Sequence, residues 1–170
     1  MTRFVVDTDR TSLDVQVRPS LFGFRVHITG LSGEIDGTIG PDGRPDLDAA
    51  VDGAVTMNIS ELDFGNPLLT RTTRSALNLA GDGSVTGRLV QVDHDADDAL
   101  RFTFEVESGR LRGRLQARCH LRAGDDGSAV AVGTTEFRAA DFDVHLPGLE
   151  HLRGTCTWRI VVLPAPHHRP

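Results

Sequence analysis

A chain of 170 residues falls in the usual range for one domain and is long enough to bury roughly 70% of its unfolded surface around a single core. With 39% apolar and 25% charged residues it is too apolar for a disordered chain, and no apolar run approaches the roughly 18 residues that a membrane-spanning helix needs. All 18 basic residues are Arg, set against 24 acids for a net charge of −6, which leaves no footprint for a nucleic-acid partner.

The opening, Met1 to Ser12, turns polar after Val6 and lacks the apolar stretch and cleavage site of a secretory signal, so a reducing cytoplasm is the expected compartment. Leu13, Val15 and Val17 then alternate with Asp14, Gln16 and Arg18, and Phe24, Val26 and Ile28 alternate with Arg25, His27 and Thr29. Alternation of this kind marks strands wet on one face only. Gly30-Leu31-Ser32-Gly33 reads as a connection to a further strand, Ile35 to Ile39, and Gly40 to Gly43 supplies a turn. Val55, Met57 and Ile59 resume the rhythm. The one expected helix runs from Pro67 to Leu79, with Leu68, Leu69, Thr72, Leu77 and Leu79 on a loose face and Asn66 as its cap.

After a second turn at Ala80 to Gly83, strands return as Leu100, Phe102, Phe104 and Val106, then as Leu111, Leu115, Ala117, Cys119 and Leu121. Turns at Gly124 to Gly127 and at Pro147-Gly148 precede a last strand carrying Cys156, Trp158, Ile160 and Val162. Cys119 and Cys156 read as small hydrophobes, and nothing forces a disulfide between them. Eight or nine strands and one short helix make an all-β domain over residues 1–163, with 164–170 expected as a flexible tail. Periodicity alone leaves a sandwich and a barrel both open.

Residues that could carry chemistry are sparse. His145, His151 and Cys156 lack the compact spacing of zinc ligands, so no metal is expected. His27 and His120 fall on solvent-facing, Arg-bearing strand faces, and His167 and His168 lie in the tail. The acidic run Asp93 to Asp98 places carboxylates as a calcium loop would. Yet Asp98 stands where the sharp-turn Gly belongs and Phe104 where the bidentate Glu belongs, so a solvated hairpin turn is expected. Nucleophile elbow, phosphate loop, dinucleotide fingerprint and Cys-x-x-Cys pair are all missing, which lowers the expectation of an enzyme. Eight Phe and one Trp with no Tyr give large aromatic groups without hydroxyls. A cavity lined by Phe24, Phe102, Phe104, Phe137, Phe142 and Trp158 offers apolar area with few hydrogen bonds; the alternative is that these residues pack a plain core.

Taken in order, the segments resemble the YceI-like family of polyisoprenoid-binding proteins. The resemblance runs through Val6 to Pro19 (VDTDRTSLDVQVRP), Phe22 to Ile39 (FGFRVHITGLSGEIDGTI) and Met57 to Leu79 (MNISELDFGNPLLTRTTRSALNL). It continues through Gly109 to Leu121 (GRLRGRLQARCHL) and Phe137 to Leu149 (FRAADFDVHLPGL). The chain departs from the family at Thr70-Arg71-Thr72-Thr73, where family helices carry an Arg-Asp pair and a His, and at Ser84 to Asp95, which resembles an insertion or a rebuilt strand. The resemblance implies an antiparallel eight-stranded lipocalin-like barrel with one short helix. It also implies non-catalytic binding and carriage of a long isoprenoid, such as a quinone or polyprenyl chain, with no other cofactor. Val15, Val17, Phe24, Val26, Ile28, Ile59, Phe102, Phe104, Phe137, Phe142 and Trp158 are the expected tunnel lining, with Leu68, Leu69 and Leu77 closing its mouth. Arg71 and Arg74 are the candidates to meet a head group. At about 0.8 kcal/mol per buried CH₂, each five-carbon unit contributes roughly 3 to 4 kcal/mol of gross transfer energy. An isomerase or cyclase acting on an apolar substrate, and a filled barrel serving as an interaction module, stand as alternatives, and a homodimer is left open.

Overall fold

Period-two alternation sends every second side chain of a strand to the same face, so strands that are apolar on one face can hide it by closing on themselves. The computed structural model shows this solution. It describes the chain apart from residues 1, 19–22, 39, 42–45, 47–50, 80, 125, 144–148 and 166–170. His145, Ile39, the Pro147-Gly148 turn, His167 and His168 therefore lie outside the described residues. In chain order the elements are β1 (Thr2–Val6), a 3-10 turn (Thr8–Arg10), β2 (Ser12–Arg18), β3 (Arg25–Gly37), β4 (Asp52–Asp63) and α1 (Pro67–Ala76). There follow β5 (Ser84–His94), β6 (Leu100–Ser108), β7 (Leu111–Ala123), β8 (Ala129–Arg138), a second 3-10 turn (Ala139–Asp141) and β9 (Arg153–Pro164).

The neighbours run β1-β3-β4-β5-β6-β7-β8-β9, all antiparallel, and β1 returns to β9 to close an eight-stranded barrel. β2 shares β1's place round the ring: β1 takes Val162 to Pro164 of β9, and β2 takes Arg153 to Arg159. The break between them is held by the Asp7 N–H donating to the Val161 carbonyl and the Val161 N–H donating to Thr11 Oγ1. Asn66 caps α1 as expected, its Oδ1 accepting from the N–H groups of Leu68 (3.0 Å) and Leu69 (3.2 Å), an arrangement typically worth about 1 kcal/mol. The helix ends at Ala76, short of the expected Leu79, because Asn78 turns left-handed at φ 52°.

Gly30 to Gly33 is not a connection. β3 runs straight through it with a shift of register between Thr29 and Ser32, Gly30 supplying a left-handed residue at φ 61°. The acidic run is the expected hairpin turn, with Asp97 and Asp98 both left-handed and the Ala99 N–H closing on the Ala96 carbonyl. Its carboxylates serve the outer wall. Arg101 and Arg118 stand directly opposite one another on β6 and β7, and Asp95 bridges these like charges, with Asp97 taking Arg118 at 3.2 Å. The Ala96 N–H, followed by the two guanidiniums, holds the Asp95 carboxyl below its ordinary range. Arg114 faces Glu105 and Arg112 faces Glu107 along the same two strands.

Two ends of the barrel differ. At the lower end, α1 and the segment between β8 and β9 cover a cluster built on Leu62, Phe64, Leu77, Leu111, Leu149 and Leu152. The upper end is where β3 hands over to β4, β5 to β6 and β7 to β8. Along the wall, strand glycines make room for aromatic rings on the neighbouring strand. A Cβ at Gly133 would run into the Trp158 indole, and one at Gly154 into the Phe137 ring. The Trp158 Nε1–H donates to Thr135 Oγ1 at 3.1 Å. Gly133→Ala is expected to cost about 1 to 3 kcal/mol by forcing that ring aside, measured as a fall in the urea midpoint at unchanged slope.

Cys119 and Cys156 both face inward, on β7 and β9 with β8 between them and two residues out of register, roughly 11 to 12 Å apart at ordinary strand spacing and rise and so beyond disulfide reach. Both are free. Burial pushes each thiol up to about 12, with the Asp14 charge adding to the effect at Cys156. The chain has neither Lys nor Tyr, so these thiols are the side chains that titrate between about pH 9 and 12. A raised folded pKa gives stability that is complete below the unfolded value and is lost as pH climbs toward the folded one. Stability is therefore expected to fall between pH 9 and 11 by up to about 1.4 kcal/mol per pH unit for each thiol. Urea midpoints across this range check it: the Cys119→Ala/Cys156→Ala double variant gives a flat profile.

Candidate functional site

The inward positions of the upper half are unusually small. Gly37, Gly53, Gly87, Ala129 and Ala131 all face the interior there, and a Cβ built at Gly87 would find only ordinary contacts, Phe104 Cδ1 at 3.8 Å and the Val55 carbonyl at 4.0 Å. Larger residues complete a ring around the space they leave: Phe4, Ile35, Val55, Leu89, Val92, Phe102, Phe104, Leu121, Trp158, Ile160 and Val162. The result is an apolar cavity of about 90 Å³. For scale, an engineered apolar cavity of about 150 Å³ stays dry and accepts benzene. None of the described lining residues is titratable. Trp158 carries a polar hydrogen in this wall, and it is already committed to Thr135.

Of the expected tunnel residues, Phe102, Phe104 and Trp158 line this cavity. Val17, Phe24, Val26, Ile59, Leu69, Leu77, Phe137 and Phe142 belong to the packed cluster at the lower end. Val15 and Ile28 face inward between the two regions, half-buried and in none of the packed clusters. Leu68 stands in solvent at 64% exposure. The helix that carries Leu68, Leu69 and Leu77 covers the end of the barrel away from the cavity, and Arg71 and Arg74 are exposed on it. Sequence reasoning passed over Phe4, Ile35, Leu89 and the wall glycines. Gly87, a glycine inside a strand, was the available signal.

Partial exposure of inward side chains runs the length of the barrel, from Val17 and Val15 through Val106, Phe104 and Phe102 to Ile160. Inside a barrel wall, such exposure means that the side chains leave space between them. A separate open groove of about 390 Å³, with His94, Asp98, His120 and Arg122 along it, lies against the outer wall. His120 is exposed there, as is His27 on β3. Among the described residues no cluster of His, Cys, Asp and Glu could hold a metal ion, and no helix is long and apolar enough to cross a membrane.

No protein-family model matches the chain, and no curated protein matches its sequence. Among solved structures, BcnA of Burkholderia cenocepacia superposes with a TM-score of 0.59 at 8% identity, over 92% of this chain and 98% of that one. A mutant CJ YCEI protein gives a TM-score of 0.49 at 10% identity, over 88% and 85% of the two chains. At such identity the likeness to BcnA is one of fold: this chain is an eight-stranded antiparallel barrel, with one helix, of the kind BcnA has.

Proposed function

We propose that this protein binds the apolar part of an isoprenoid-type lipid, a quinone or polyprenyl chain, inside the barrel and carries or stores it without chemical change. The observation that carries the reading is the upper cavity, a space with an almost wholly apolar wall, left unfilled because Gly87 and its small neighbours put no side chain into it. At about 90 Å³ it accommodates the branched end of a chain, and a longer ligand continues along the half-exposed inward positions. Burial of each further CH₂ adds about 0.8 kcal/mol of gross transfer energy, against association costs of several kcal/mol, so a few five-carbon units suffice for tight binding. Catalysis by proton transfer would need an acid or base in this wall, and none of the described lining residues is one.

Trp158 is the chain's one Trp and lies in the cavity wall, so ligand entry reports itself in the intrinsic fluorescence. Titration with a short-chain isoprenoid quinone is expected to quench Trp158 with saturation near one ligand per chain, and organic extraction of the purified protein is expected to release an apolar species detectable by mass spectrometry. A clean extract together with no saturable quenching rejects the reading. Gly87→Leu is expected to fill the cavity while keeping the fold, lowering quinone affinity at least tenfold with a melting temperature at or above that of the parent. Unchanged affinity in that variant would place the ligand elsewhere.

A further inference from the structure

The ring of strand pairing is complete at the upper end and incomplete below it. β3 pairs with β1 only from Glu34 to Gly37, and β2 pairs with β9 along its whole length but, among the described residues, with no other strand. From Arg25 to Gly30, β3 therefore turns an edge without strand pairing, among the described residues, toward the unpaired edge of β2. Backbone N–H and C=O groups are not left orphaned, so an edge with no strand beside it relies on solvent. The gap is thus a slit in an otherwise hydrogen-bonded wall.

What lines the slit is apolar. Val15 and Ile28 face inward from its two banks, both half-buried and outside every packed cluster. At its top, Leu13 is registered opposite Trp158, which also walls the upper cavity, so slit and cavity meet at that ring. The upper margin is pinned: Thr8 Oγ1 donates to the Leu31 carbonyl at 2.6 Å, and the β1–β3 ladder begins just beyond. Widening the slit breaks no strand pair, whereas an opening between any other two neighbours in the ring would break a ladder.

We propose that the gap between β2 and β3 is a lateral gate through which an apolar ligand passes between solvent and the barrel interior. The proposal rests on the lipid-binding reading. Its test bridges the gap. Gln16 and His27 are exposed, outward-facing positions on the two banks, and in a Cys119→Ala/Cys156→Ala background Gln16→Cys/His27→Cys can be joined by a flexible bismaleimide with no native thiol to compete. Glu105→Cys/Arg114→Cys, joined the same way across the paired strands β6 and β7, is the control.

Bridging the gap is expected to slow association of a short-chain isoprenoid quinone, followed by stopped-flow quenching of Trp158, at least tenfold relative to the unbridged variant, and the control bridge to leave it unchanged. Equal rates in bridged and unbridged protein overturn the gate. Acrylamide quenching of Trp158 in the unliganded protein decides the point without any ligand: the gap bridge lowers the quenching constant if the slit is the route inward, and an unchanged constant overturns it. Failure of the quinone to bind at all would reject the lipid-binding reading alone, with the acrylamide result still deciding whether the slit opens.

Discussion

The structure depends on a mismatch between a closed ring of strands and the side chains available to fill it. Eight strand positions set a bore that ordinary inward side chains can just occupy. Where those side chains are Leu and Phe, as at the lower end, they meet and pack; where Gly and Ala stand among them, as on β5 and β8 at the upper end, packing is incomplete and a hollow remains. The hollow is thus written into residue size on a few inward positions, not into any special backbone. The wall tolerates it because its integrity comes from ladder hydrogen bonds and from aromatic rings laid over glycines at Gly133 and Gly154, independent of what occupies the centre.

The outer face has a different logic. Arginine stands at most outward basic positions and meets carboxylates across strands, as Arg114 does Glu105 and Arg3 does Asp36. These pairs are exposed, and each contributes little to stability. Their collective effect is to keep the outside of most strands charged, so a slipped register, which would turn each side chain to the other face, would drive arginines and carboxylates into an apolar bore. The charged wall and the greasy interior specify the same pairing.

Much of this was legible in the sequence. The alternating segments of β2, β4, β6, β7 and β9, the Asn66 cap and the hairpin nature of the acidic run follow from period and turn chemistry alone. β1 escaped notice because five residues show too little alternation. β8 escaped because its inward residues are Ala129, Ala131 and Gly133 while Val130 and Val132 point outward, inverting the usual contrast. The same smallness hid the cavity: residues that make a hollow leave no hydrophobic signal, whereas the large aromatics leave a strong one. Of those, Phe102, Phe104 and Trp158 reach the cavity, while Phe24, Phe137 and Phe142 pack at the far end, a division that depends on position along the barrel axis and not on strand face.

β9 is the hub of the ring, joined to β8 along its length and to both β1 and β2 on its other edge. During synthesis on the ribosome the first two strands emerge well over a hundred residues before the strand they need, and they must wait with their edges unsatisfied until it appears. Closure of this barrel is consequently a late, long-range event, and the nascent chain spends that interval as an open, sticky sheet for which chaperone protection has an evident use.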